Sequence, residues 1–182
     1  MALLAESLVE EWLNRSGFFT MRGIKHGVNE LDLLGIRREH SGAVTGWHVE
    51  VQASFRPIGY IAKLTKEIAG GRALTSIKKR TPQEVEVCAR KWIHAKFTSD
   101  AKNRVREKLW PAVQWSYHLV HGNVREPAEL RVFTEEGIKC HPFHEVLAEL
   151  LRRGGGAGFS GSAGGDLAEI VGYYTDHAVE SK

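Results

Sequence analysis

In the stretch NELDLLGIR an aspartate stands among leucines, and it constrains the fold more than any other feature of the chain. Side chains alternate along a strand, so Glu30, Asp32 and Leu34 take one face and Leu31 and Leu33 the other. The leucines make this a covered, central strand, where an ionised carboxylate is costly unless a cation or donors compensate. The strand WHVEVQAS repeats the problem, with Val49 and Val51 on one face and His48, Glu50 and Gln52 on the other. A turn rich in Gly and Ser, EHSGAVTG, joins the two. Pairing residues 30–37 with 46–53 sets Asp32 beside Glu50, and adjacent carboxylates resist ionising together. A divalent ion between them removes the conflict. All-oxygen ligation of this kind suits Mg2+ or Mn2+.

Ahead of these strands, Leu4, Leu8, Val9, Trp12 and Leu13 fall on one arc at helical spacing, predicting a helix over 3–16 that Gly17 ends. Glu6 sits at the edge of the apolar arc, Glu10 one turn on, and Glu11 at the opposite edge. A strand over 18–25 follows, turning near His26 and Gly27. Downstream, the pattern predicts a helix within 60–69 and another from Pro82 to about 97, with Thr81 as N-cap. A helical piece over 100–109, the strand VQWSYHLVHG, the helix REPAELRVFTEEG, the short strand IKCHP and the amphipathic helix PFHEVLAELLRR complete the pattern. The expected organisation is one α/β domain over 1–153, a Gly/Ser-rich flexible linker over 154–165, and a tail over 166–182 with a short docking helix.

The order Glu6, Gly17-Phe18, Asp32, then Glu50-Val51-Gln52 resembles the PD-(D/E)XK, or restriction-endonuclease-like, nuclease superfamily. That signature is a helix bearing Glu, a β-meander with Asp on its second strand, and Glu-x-Lys on its third. The eleven residues from Glu6 to Gly17 are similar to the spacing in archaeal Holliday-junction resolvases, and the resemblance covers roughly residues 5 to 54. It implies a restriction-endonuclease-like core: an N-terminal helix, a three-stranded meander and a mixed sheet of about five strands flanked by helices. It also implies Asp32, Glu50 and the Val51 backbone carbonyl as metal ligands. Glu6 would orient a metal-bound water or hold a second ion, with Glu10 its substitute if the helix register differs. Gln52 departs from the pattern, because it stands where most members carry lysine and brings no charge. Lys25 or Lys63 are candidates to supply that charge.

Net charge is only +3, but its distribution is uneven: from Lys63 to Lys108 there are thirteen Lys or Arg against five Asp or Glu. A basic middle between acidic ends predicts a surface for a polyanion. Arg56, Lys63, Lys78, Lys79, Arg80, Arg90 and Lys91 are the expected nucleic-acid contacts, with SIKKR, ARKW, HAKF and KNRVREK as their settings. Two cysteines give no disulfide framework, and the spacing of CHPFH fits no standard zinc motif. The N-terminus lacks the basic segment and cleavage site of a secretory signal, and no apolar run reaches membrane-spanning length, so a cytoplasmic setting is expected.

The leading expectation is therefore an Mg2+-dependent endonuclease that hydrolyses DNA phosphodiesters in a restriction, defence, mobile-element or repair setting, working as a homodimer where both strands are cut. The alternatives are a catalytically weakened nuclease fold that binds DNA or serves as an assembly subunit, and a protein-interaction module whose C-terminal tail docks on a partner.

Overall fold

The computed structural model describes residues 2–27, 29–54, 56–152 and 163–178. Helix α1 (Ala2–Arg15) leads into an antiparallel meander of β1 (Phe19–His26), β2 (Asn29–Arg38) and β3 (Val44–Gln52). Strands β4 (Gln114–His121) and β5 (Ile138–Pro142) extend the sheet in parallel, giving the order β1-β2-β3-β4-β5. Between β3 and β4 lie α2 (Lys66–Ala69), α3 (Pro82–Ile93), a π-helical turn (His94–Thr98) and α4 (Asp100–Leu109). Helix α5 (Ala128–Glu135) precedes β5, and α6 (Phe143–Arg152) and α7 (Ala163–Ala178) end the chain. This is the α/β architecture expected: an N-terminal helix, a meander and a mixed five-stranded sheet flanked by helices.

Two apolar layers cover the sheet. Leu8, Val9, Trp12 and Leu13 of α1 pack with Phe143, Val146 and Leu150 of α6 over Leu33, Val49, Val51 and Val120. On the opposite side, Ala89, Ile93 and Phe97 pack with Phe133 over Leu119 and Ile138. Leu4, placed by periodicity in the first of these layers, is instead exposed. Glu11 is fully buried and holds Arg15 at 2.7 Å. Gly17 ends α1 in the left-handed region (φ 82°), where a β-carbon would be strained.

Strict alternation along β2 fails at Asp32. Leu31 joins Leu34 and Val105 in a small cluster under α4, whereas Leu33 packs beneath α1. The pairing explains why. Arg22 opposes Leu33 and Ile24 opposes Leu31, but no pairing joins Gly23 (φ 62°) to Asp32, and the β2–β3 ladder stops at Leu33–Val49. The chain thus parts from β3 at the aspartate, while its pairing with β1 skips Asp32 and resumes at Leu31.

Two further expectations need correction. The helix predicted within 60–69 is only the single turn Lys66–Ala69. The buried Glu129 carboxylate accepts the Ile61 and Ala62 amide hydrogens (2.6 and 2.8 Å), holding that stretch as a loop. Residues 154–162 of the expected linker lie outside the described residues, but Ala163, Gly164 and Gly165 form the first turn of α7, not a linker. A β-carbon on Gly164 would run into the Ser7 carbonyl of α1, so glycine there permits close helix packing.

Candidate active site

The site forms where β2 parts from β3. Leu33 opposite Val49 sets Asp32 beside Glu50, as the strand pairing predicted. Asp32 Oδ2 accepts the Val51 amide hydrogen at 2.9 Å, filling the place of a missing ladder bond. Glu50 is wholly buried. Burial, then the charge of Glu50, pushes the Asp32 carboxyl up to about 6, against the opposing pull of Lys96 and the Val51 amide. Burial likewise raises Glu50, with Lys96 opposing. Each carboxyl is therefore harder to ionise than an ordinary one.

Glu6 of α1 belongs to the same field. Burial and the negative charge of Asp32, Glu30 and Glu50 raise its pKa, with Arg22 opposing. Glu10 is turned elsewhere: it lies 3.4 Å from Arg22 and accepts from Thr20. Glu30 is half exposed and pairs with Lys25 at 3.7 Å, so both are charges at the end of the meander.

The cation that answers the carboxylates is neither Lys25 nor Lys63. Lys96, on the π-turn after α3, places its Nζ 2.5 Å from Glu50 Oε2 and 4.0 Å from Asp32 Oδ1. Burial pulls its ammonium down, but Glu50 and Asp32 outweigh it and hold the pKa above the ordinary lysine value. Lys102 of α4 lies 3.9 Å from Glu50 Oε1 and donates to the Glu30 carbonyl. Burial lowers its pKa, with Glu50 opposing.

Behind Glu50 stands a second tier. Arg106 Nη1 lies 2.7 Å from His48 Nδ1, and His48 Nε2 lies 3.1 Å from Glu50 Oε1. A guanidinium can only donate, so Nδ1 accepts and the imidazole carries its proton on Nε2, which donates to Glu50. Burial and the Arg106 charge hold His48 well below its ordinary pKa, so it is neutral. His48 therefore orients Glu50, and a general-base role does not fit its surroundings. Arg106 also donates to the Phe97 carbonyl (2.8 Å), to Asn103 and to the Tyr117 hydroxyl (3.3 Å), leaving little freedom in this tier.

Sequence periodicity carried a signal for Lys96. Val85, Cys88 and Ala89 mark the inward stripe of α3, and Lys96 falls seven residues after Ala89, on the same stripe. Helix α4 repeats the pattern with Lys102, Val105 and Arg106 buried together. A basic residue on an inward stripe requires a buried acid.

Among the described residues no group of three His, Cys, Asp or Glu side chains converges to hold a metal. Asp32 and Glu50, with the Val51 carbonyl and water, nevertheless make a fitting set for Mg2+, which keeps much of its water and takes one or two protein carboxylates.

Gln52 lines a cleft of about 440 Å3 with Lys63, Lys91 and Lys96, so a side chain at this position borders the same space as Lys96. Of the expected nucleic-acid contacts, Arg56, Lys63, Lys78 and Lys79 are exposed. Arg90 is exposed but paired with Glu86 and Glu136, and Lys91 is paired with Glu67. Arg80 is a correction: it is buried, donates to the Ala62 carbonyl at 2.8 Å and stacks on the Tyr60 ring at 3.8 Å. It cannot serve as an open-surface phosphate contact.

No protein-family model, curated protein or solved structure matches this chain. No described helix is long and apolar enough to cross a membrane.

Proposed function

We propose that the protein is a metal-dependent nuclease of the PD-(D/E)XK type that hydrolyses DNA phosphodiester bonds, with Lys96 in the part usually played by the lysine of Glu-x-Lys. One observation carries this reading: Lys96 Nζ stands within 4.0 Å of both Asp32 and Glu50, beside a cleft bordered by Gln52. Position 52 has lost the charge, and a lysine from a different element restores it at the same cleft.

In this reading Asp32, Glu50 and the Val51 carbonyl would hold Mg2+, which when bound would supply Lewis acidity toward the phosphate and the attacking water. Lys96 offers its ammonium to the negative charge that grows on the phosphoryl oxygens. Glu6, its pKa raised, accepts a hydrogen bond or a proton from the attacking water. Arg106 and His48 fix the Glu50 carboxylate, so its geometry is set before substrate arrives. Lys63, Lys78, Lys79 and Arg56 neutralise flanking phosphates.

A second reading draws on the same contact. At 2.5 Å Lys96 already neutralises Glu50, and a site balanced this way can bind DNA without cutting it. Nicking of supercoiled plasmid and of branched DNA with Mg2+, Mn2+ or chelator separates the two. Metal-dependent nicking by the wild type that disappears in Asp32→Asn is the expected result. Salt-sensitive binding with no nicking in any metal supports the second reading. Absence of both metal binding and DNA binding leaves a protein-interaction module.

A further inference from the structure

Helix α4 packs through Val105 onto Leu31 and Leu34 of β2, one strand in from the edge of the sheet. This leaves a groove of about 560 Å3 between α4 and the end of the edge strand β1. Buried Val105 and half-buried Ile24 form its bottom, and Leu109 extends the apolar surface toward the end of the helix. Lys25, Arg104 and Lys108 are exposed and border the same space. Arg104 and Lys108 are neighbours on one helix face. Whereas Arg90 and Lys91 of α3 are paired with glutamates, these two cations make no ion pair among the described residues. Lys25 meets Glu30 at 3.7 Å with both side chains more than half exposed, a weak pairing that a phosphate can displace. Glu107 is the one acid on the lining, so the rim is positive on balance. Lys25 also pairs across the ladder with Glu30, which lies about 7 Å along β2 from Asp32. Lys102 of α4 donates to the Glu30 carbonyl and stands 3.9 Å from Glu50, so this groove and the carboxylates flank one contact.

We propose that this groove binds the sugar–phosphate backbone of one DNA strand and prefers deoxyribose to ribose. The proposal rests on the nuclease reading for where that strand leads but not for its chemistry. A nucleic-acid backbone is a line of phosphates joined by sugars, and the groove matches both parts. Its three cations answer the phosphates. Its bottom offers the sugar only the aliphatic side chains of Ile24, Val105 and Leu109. Deoxyribose presents C–H groups to such a surface. Ribose would lay a 2′-hydroxyl on it with no partner to accept or donate, which is costly. A flat anionic bilayer cannot enter a groove between a strand and a helix, so the charge here is matched to a strand.

The test is fluorescence anisotropy of the full chain with short end-labelled oligodeoxyuridine and oligouridine of equal length, which differ only in the 2′-hydroxyl. Chelator is present so that nothing is cut. The DNA should bind about tenfold more tightly than the RNA, the scale of one hydroxyl buried without a partner. Leu109→Asn, at an exposed position, supplies a partner and should bring the two affinities together. Arg104→Ala/Lys108→Ala should melt like the wild type and lower the magnitude of the salt dependence by about two phosphates' worth. Equal affinity for DNA and RNA, a preference unchanged in Leu109→Asn, or an unaltered salt slope in the double variant would overturn the proposal. Tighter binding to phosphatidylserine vesicles than to either oligonucleotide would do the same. A chain that binds DNA in this way yet nicks none in any metal defeats the nuclease reading and leaves the groove standing. A chain that nicks DNA while the double variant keeps its salt slope defeats the groove alone.

Discussion

The two halves of the site come from regions of opposite character. The carboxylates lie on β2 and β3, in a meander whose pairing follows from alternating sequence. The cations Lys96, Lys102 and Arg106 come from the π-turn and α4, and they sit inward where an amphipathic helix normally carries apolar residues. On the same basic stretch, Lys78 and Lys79 are exposed. One run of charge therefore contains two populations: an inward set around Glu50 and His48, with Lys102 and Arg106 buried and Lys96 half-buried, and a surface set available to solvent or a polyanion. Composition alone cannot separate them, but burial can.

The comparison is broken most forcefully at Glu50. Glu50→Ala leaves Lys102 and part of Lys96 buried without their carboxylate, and should cost about 3–5 kcal/mol in urea unfolding. A loss no larger than that of a surface substitution would mean the buried cations are not committed to it.

Asp32 should behave in the opposite way. Its folded pKa of about 6 lies above the ordinary aspartate value of 3.8. A raised acid contributes stability that is fully present below its unfolded pKa and is lost as pH rises through the folded value. Ionised Asp32 should thus cost roughly 3 kcal/mol at pH 8 without a divalent ion. Asp32→Asn keeps an oxygen for the Val51 amide and should raise stability at pH 8 while changing little at pH 4. The same linkage makes Mg2+ raise the melting temperature of the wild type more at pH 8 than at pH 5, an effect lost in Asp32→Asn. Equal stabilisation at both pH values, or in both proteins, would place the ion elsewhere.

The smallest effect on folding belongs to the surface set. Lys78→Ala/Lys79→Ala should stay within about 0.5 kcal/mol of the wild type. The magnitude of the salt dependence of DNA binding should nevertheless fall by about two phosphates' worth. An unchanged salt slope would remove these lysines from the interface.

The differences in legibility between these regions have physical causes. Period-two alternation and a Gly/Ser turn made the Asp32–Glu50 pairing readable, because strand register follows directly from them. The break in alternation at Asp32 was not readable, since it depends on the pairing lost opposite Gly23, whose φ is 62°. Helix phase did put Lys96 on the inward stripe, yet a lysine in a basic segment reads first as a surface charge. Its acid lies 46 residues away on another element, and only the fold brings the two together. Arg80 misled for the same reason: in SIKKR it looks like its exposed neighbours, and only Tyr60 and the Ala62 carbonyl, on a separate loop, bury it.

The central claim is that Lys96 replaces the lysine missing from position 52. It is tested most directly by moving that charge back, comparing Mg2+-dependent nicking by the wild type, Lys96→Gln and the double variant Lys96→Gln/Gln52→Lys. Nicking should fall about a hundredfold or more in Lys96→Gln, the scale of losing one electrostatic partner of the transition state, and recover at least in part in the double variant. Wild-type nicking that persists undiminished in Lys96→Gln would contradict the account, as would a wild type that never nicks DNA in any divalent metal.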